Sequence, residues 1–98
     1  MTDYPEGRTS NAGRRIVVDR NEDHPERIVF TYDEEEVAEL HPPEPGSPER
    51  TDGMAEWRLT FFDQFPETTV LGDPEEPPLD GALLYVDMML DDREANEK

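Results

Sequence analysis

The sequence predicts a small α+β domain: an antiparallel sheet of three or four strands with one C-terminal helix across a face. Three observations carry this. Four short stretches are rich in β-branched and aromatic residues, the composition that suits a pleated, half-buried surface. One stretch near the C-terminus spaces its apolar residues as a helix does. Between these lie polar segments that hold most of the 10 prolines and 6 glycines. At 98 residues the chain has room for one core only. We therefore expect a single domain over residues 14–93, a flexible arm at 1–13, a Pro/Gly-rich loop at 41–53 and a frayed tail at 94–98.

The arm is rich in Gly, Ser, Thr and Asn and shows no apolar period. Arg15 to Asp19 (RIVVD) and Arg27 to Tyr32 (RIVFTY) read as strands, joined as a hairpin by a long charged loop that contains Pro25. In the second strand Ile28, Phe30 and Tyr32 share one face. Asp33 to Leu40 (DEEEVAEL) reads as the start of a short helix, with Asp33 as N-cap and Val37 and Leu40 three apart. His41 to Gly53 then holds four prolines and two glycines, a loop or linker.

Glu56 to Phe62 alternates, with Trp57, Leu59 and Phe61 on one face, and is the plainest strand of the chain. Thr68 to Leu71 is expected to return beside it. From Asp80 to Arg93 helix is expected: Leu79, Leu83, Val86 and Leu90 fall at helical spacing and Asp80 is a candidate N-cap. A buried strand over Leu83 to Leu90 also fits so short an apolar run. The expected core is Val18, Ile28, Phe30, Trp57, Leu59, Phe61, Val70, Leu83, Val86 and Leu90.

Charge dominates the composition. There are 26 Asp and Glu against 9 Lys and Arg, a net charge of −17, and the only lysine is Lys98. Leu, Ile, Val and Phe total 19 residues, close to the range in which highly charged chains stay unfolded, so a disordered chain is the competing expectation. With no cysteine, disulfides, thiolate metal sites and cysteine nucleophiles are excluded; a reducing, cytoplasmic setting fits. No apolar run reaches the ~20 residues of a spanning helix, and the N-terminus has no apolar core of a secretion signal. Repulsion from anionic lipid head groups disfavours binding at a membrane surface.

Motifs for catalysis are missing. Ser10 and Ser47 lie in polar segments with no GxSxG elbow, and no Gly-rich phosphate loop occurs. His24 and His41, with Glu22, Asp23, Glu26 and Glu39 near them, follow no zinc-binding spacing. The acids of Asp73 to Asp80 lack the order of an EF-hand. Neither enzyme activity, nor a cofactor, nor a metal is expected. Direct nucleic-acid binding is disfavoured, because Arg8, Arg14 and Arg15 are a thin cationic cluster on an acidic body.

The acids themselves are the remaining signal. Tyr32 to Glu49 carries seven acids and no Lys or Arg. On a folded surface such runs present carboxylates much as a nucleic acid presents phosphates. The expectation is a protein-binding module, an inhibitor or regulator, that occupies a basic, nucleic-acid-binding surface of a larger protein. Glu34, Glu35, Glu36, Glu39, Asp87 and Asp91 are the candidate contacts. The alternative is salt adaptation: molar salt screens self-repulsion, and acidity with so little lysine then reports habitat rather than mechanism. An accessory subunit that docks through Trp57, Phe61, Phe62 and Phe65 is a third possibility, although aromatics spaced along an alternating strand are mostly core.

Overall fold

The computed structural model describes residues 6–43, 54–62, 64–73 and 75–96. Among these residues, six strands form one antiparallel sheet in chain order: β1 (Glu6–Thr9), β2 (Arg15–Arg20), β3 (Ile28–Tyr32), β4 (Glu35–His41), β5 (Ala55–Phe61) and β6 (Thr68–Gly72). They also include a single helix, α1 (Leu79–Asn96). The α+β class and the C-terminal helix are as expected. The sheet has six strands rather than three or four, because two of them carry no strand pattern in the sequence.

The first is β1. Part of the segment expected as a loose arm pairs with β2 in the register Glu6↔Val18 to Thr9↔Arg15. An edge strand of four residues needs no apolar residues of its own, since main-chain hydrogen bonds hold it. The turn that follows is fixed by bonds from Ser10 N–H to the Arg14 carbonyl (2.8 Å) and from Arg14 N–H to Ser10 Oγ (3.1 Å).

The second is β4, where a helix is expected. Asp33 and Glu34 both have positive φ, 53° and 64°, and form the two-residue connection of a β3–β4 hairpin. Asp33 is thus a turn residue and not an N-cap. A bulge follows: Phe30 pairs with Ala38 and Thr31 with Glu36, which leaves Val37 as an extra residue. Val37, Ala38 and Leu40 consequently all enter the core. The three-residue spacing of Val37 and Leu40 comes from this bulge, not from a helical turn.

Register places the inner face. Val18, Phe30, Ala38 and Phe61 stand opposite one another across four strands, as do Ile28, Leu40 and Leu59 across three. Every expected core residue is buried except Phe61, which is partly buried and stacks edge-on against Phe65 with centroids 5.0 Å apart. Ile16, Val37, Ala38, Leu40, Leu79, Ala82 and Met89 join the core.

Helix α1 begins where Ala82 N–H donates to the Pro78 carbonyl (3.0 Å). Asp80 therefore lies inside the first turn, where the positive helix end favours it, rather than at the cap. Two glycines allow close approach here. A Cβ on Gly72 would lie 2.6 Å from Pro78 Cβ, and one on Gly81 would lie 2.9 Å from Val70 Cγ1. The helix continues to Asn96 through part of the segment expected to fray.

Laid flat, six strands would separate β1 from β6 by about 24 Å. Yet Asp80 meets Arg8 of β1 (3.4 Å) while its neighbour Gly81 packs beside Val70 of β6. The sheet thus curls into a trough with α1 along it. The helix runs from the open end of β6 toward the β1–β2 and β3–β4 turns. Most of the expected loop at 41–53 lies outside the described residues; His41 is the last residue of β4.

Candidate functional site

The fold gathers the candidate acids at the end of the trough where α1 terminates. The β3–β4 turn supplies Asp33, Glu34, Glu35 and Glu36, all exposed. The last turns of α1 bring Asp91, Asp92 and Glu94 to the negative helix end, where carboxylates add to the dipole field rather than offset it. Arg93 ties the two groups together through Glu35 (2.8 Å).

Two of the six candidates are buried. Asp87 falls on the buried stripe of α1 with Leu83, Val86 and Leu90. Its carboxylate accepts from the guanidinium of Arg14 (3.1 Å) and from Ala12 N–H (3.1 Å). Arg14 continues outward to Asp91 (2.7 Å) and Glu94 (3.1 Å). Only 9% of the Arg14 side chain and 7% of that of Asp87 are exposed. The hydrogen bond to Asp91 is the largest cause that raises the Arg14 pKa; burial opposes it, and Asp87 and Glu94 add to it. This clasp fastens the β1–β2 turn to the helix.

Glu39 is the other buried acid. It sits on the outer sheet face, opposite Val29 and Thr60. Asn21 Nδ2 donates to its carboxylate (2.6 Å), His41 Nε2 lies 3.2 Å from it and Arg27 4.0 Å. The pairing of Glu39 with His41 follows from β4 being a strand, where residues two apart share a face. Read as the end of a helix, the same residues give no such signal.

The His41 cluster is the nearest approach to catalytic geometry among the described residues. His41 Nε2 is 3.1 Å from Thr60 Oγ1. In a nucleophile–base–acid triad, however, the acid holds the ring nitrogen opposite the one that faces the nucleophile. Here Glu39 and Thr60 meet the same nitrogen, and the Thr60 hydroxyl also reaches the Glu39 carbonyl (3.3 Å). The arrangement fastens β4 to β5 rather than activating a hydroxyl. Among the described residues there is no group of three or more His, Asp or Glu side chains placed to hold a metal ion, and no buried side-chain polar atom lacks a partner.

His41 gives this cluster a pH dependence. Burial, the largest cause, pushes the imidazole below the usual histidine value of 6.5; Glu39 opposes the shift, and Arg27 and Arg58 add to it. The folded state therefore binds the proton less readily than the unfolded chain. Its contribution to stability is complete above about pH 6.5 and is lost as pH falls from there through the folded value. Denaturant titrations at pH 7.5 and 5.5 should show a larger loss for the wild type than for His41→Gln. Equal losses would mean that His41 titrates as it does in the unfolded chain.

A shallow groove opens beside the β3–β4 turn. Val37 and Met89 are buried beneath it, Glu35, Glu36 and Arg93 rim it, and Phe62 stands at its side; its volume is about 130 Å³. Phe62 is 57% exposed, while the other aromatics of the expected docking set face the core: Trp57 is buried and Phe61 and Phe65 are partly so. Phe62 N–H donates to the Val37 carbonyl (3.1 Å), which extends the β4–β5 ladder past the bulge.

No protein-family model matches the chain, and neither a curated protein nor a solved structure is significantly similar to it. No described helix is long and apolar enough to cross a membrane.

Proposed function

We propose that this chain is a non-enzymatic acidic binding module, an inhibitor or regulator that occupies a basic, nucleic-acid-binding surface of a larger protein in the cytoplasm. The observation that supports it most is the β3–β4 turn. Two positive-φ positions in a two-residue hairpin favour Asn or Asp followed by Gly, and a left-handed conformation costs an ordinary residue roughly 1–2 kcal/mol. Asp33 suits the first position, but the chain places Glu34 at the second, followed by Glu35 and Glu36. Four consecutive carboxylates are thereby held outward on a fixed backbone, next to the acidic end of α1. Such a field speeds encounter with a cationic surface and fixes its orientation.

Glu34, Glu35, Glu36 and Asp91 remain as contacts; Glu39 and Asp87 act through the fold. To test this, nucleic-acid-binding proteins retained by the immobilised chain are challenged with duplex DNA. The triple variant Glu34→Lys, Glu35→Lys, Glu36→Lys is compared. Duplex DNA should compete for the captured protein, and the variant should bind at least ~100-fold more weakly, because like charges placed across an interface cost several kcal/mol. Unchanged affinity in the variant, or no competition by DNA, contradicts the proposal.

Salt adaptation is the second reading, and the spread of charge favours it. Exposed acids also occupy the β2–β3 connection (Glu22, Asp23, Glu26), β5 (Glu56) and the segment before α1 (Asp73, Glu75, Glu76), well beyond any single face. Eight of the nine Lys and Arg are arginine.

A further inference from the structure

The two edges of the sheet are built differently. A strand at an edge presents unpaired N–H and C=O groups, and folds ordinarily blunt it with charge, proline or a bulge. β1 follows that rule, since it carries Glu6 and Arg8. β6 (TTVLG) does not. It has no charged residue and no proline, and its register with β5 runs from Thr68 to Gly72 without a bulge. Among the described residues, no strand and no turn bond meets its other side. Thr69 and Leu71 are exposed, Leu71 by 44%. Acids bracket this neutral strand: Glu67 before it, and Asp73, Glu75 and Glu76 after it, all exposed. Arg58 reaches Glu67 at 3.8 Å, with 49% and 57% of the two side chains exposed, a pairing too wet to hold Glu67 from another cation.

We propose that β6 is a docking edge that takes up an extended polypeptide segment as a further strand, the segment having an uncharged, β-branched centre and a lysine or arginine at each end. Main-chain hydrogen bonds supply affinity, and the side chains at alternate positions choose the partner. Antiparallel pairing, as between all other neighbours in this sheet, sets the two cations opposite Glu67 and Asp73. By strand alternation these acids fall on the face of Thr69 and Leu71, so an apolar residue of the segment covers Leu71 between the two charged pairs. A second copy of the chain is a poor occupant. Full overlap of two β6 strands about Val70 puts Glu67 of each opposite Asp73 of the other, and like charges so placed destabilise a sheet. Each chain also carries a net charge of −17. The proposal goes beyond the function given above and does not rest on the acidic β3–β4 turn, which lies at the other end of α1.

Three blocked peptides test this, each titrated into the isotope-labelled full chain and followed by NMR: Lys-Thr-Val-Thr-Val-Thr-Lys, the same peptide with its Thr and Val amides N-methylated, and Asp-Thr-Val-Thr-Val-Thr-Asp. The plain lysine peptide should bind at least about tenfold more tightly than either of the others. It should slow hydrogen exchange at amides of β6 and leave those of β1 unchanged. Leu71→Lys, a change at an exposed side chain that gives the edge the charge it lacks, should weaken the lysine peptide about tenfold with the thermal midpoint unchanged. Equal affinity for the methylated peptide would overturn main-chain pairing. Equal affinity for the aspartate peptide would overturn the cationic partner. Self-association of the free chain that slows exchange in β6 would make a second copy the occupant and overturn the proposal, as would the absence of saturable shifts in β6.

Discussion

Replacing Phe30 by alanine should destabilise the fold by about 4 kcal/mol, the typical loss for a fully buried phenylalanine. Phe30 is 0% exposed and stands in the central row of the sheet between Val18 and Ala38. The trough around α1 gives it no route to collapse, because strands held in register on both sides cannot close over the cavity. A domain of this length has a total stability of roughly 5–15 kcal/mol, so the variant should lie close to the unfolding threshold. In urea titrations the midpoint should fall sharply with the slope unchanged. A loss below about 1 kcal/mol would mean that Phe30 is not central to the core.

Arg14→Met should cost about 3 kcal/mol, as expected when one member of a buried ion pair is removed. The variant leaves the Asp87 carboxylate on the buried stripe of α1 with the Ala12 N–H as its remaining donor among the described residues. It also removes the cation that holds Asp91 and Glu94 together. The double variant Arg14→Met, Asp87→Leu should recover most of the loss, since an apolar pair of similar size commonly replaces a buried ion pair without cost. Thermal melts supply the comparison, with the single variant expected roughly 10–20 °C lower. The penalty should persist in 3 M KCl, because salt screens exposed charges far more than buried ones. A single variant within about 0.5 kcal/mol of the wild type would mean that the clasp is no more than a surface ion pair.

Much of the fold was legible because local composition and tertiary demand agreed. Ile16 and Val18 of β2, Ile28 and Phe30 of β3, and Trp57 and Leu59 of β5 recur at every second position, and all six face the trough. Leu79, Leu83, Val86 and Leu90 announced α1 for the same reason: a helix lying in a trough needs one continuous apolar stripe. The misses have specific causes. β1 (EGRT) has no apolar residue, because its partner's backbone is what holds it. β4 imitates a helix start, because a bulge set Val37 and Leu40 three apart and because Glu34 follows Asp33 in a turn whose second position is ordinarily Gly.

The site was legible as charge but not as geometry. Glu34, Glu35 and Glu36 could be chosen because a run of acids needs no fold to be seen. Asp87 and Glu39 could not be sorted from them, since burial of an acid depends on a partner distant in sequence. One signal was available. An aspartate on the apolar stripe of a helix requires a cation, and Arg14 is one of the few the chain has. Of the four aromatics that form the possible docking set, Trp57 enters the core and Phe61 and Phe65 are partly buried, while Phe62 is exposed, as the alternation after inward-facing Phe61 implies.

The claim that the acidity serves a partner requires the domain to fold without the help of salt. Circular dichroism melts from 0.1 to 3 M KCl test this directly. The account predicts a cooperative transition already present at 0.1 M, with a modest rise in midpoint as exposed repulsion is screened. A chain unfolded in dilute salt that folds only near molar KCl would contradict it, and the acidity would then be an adaptation to habitat.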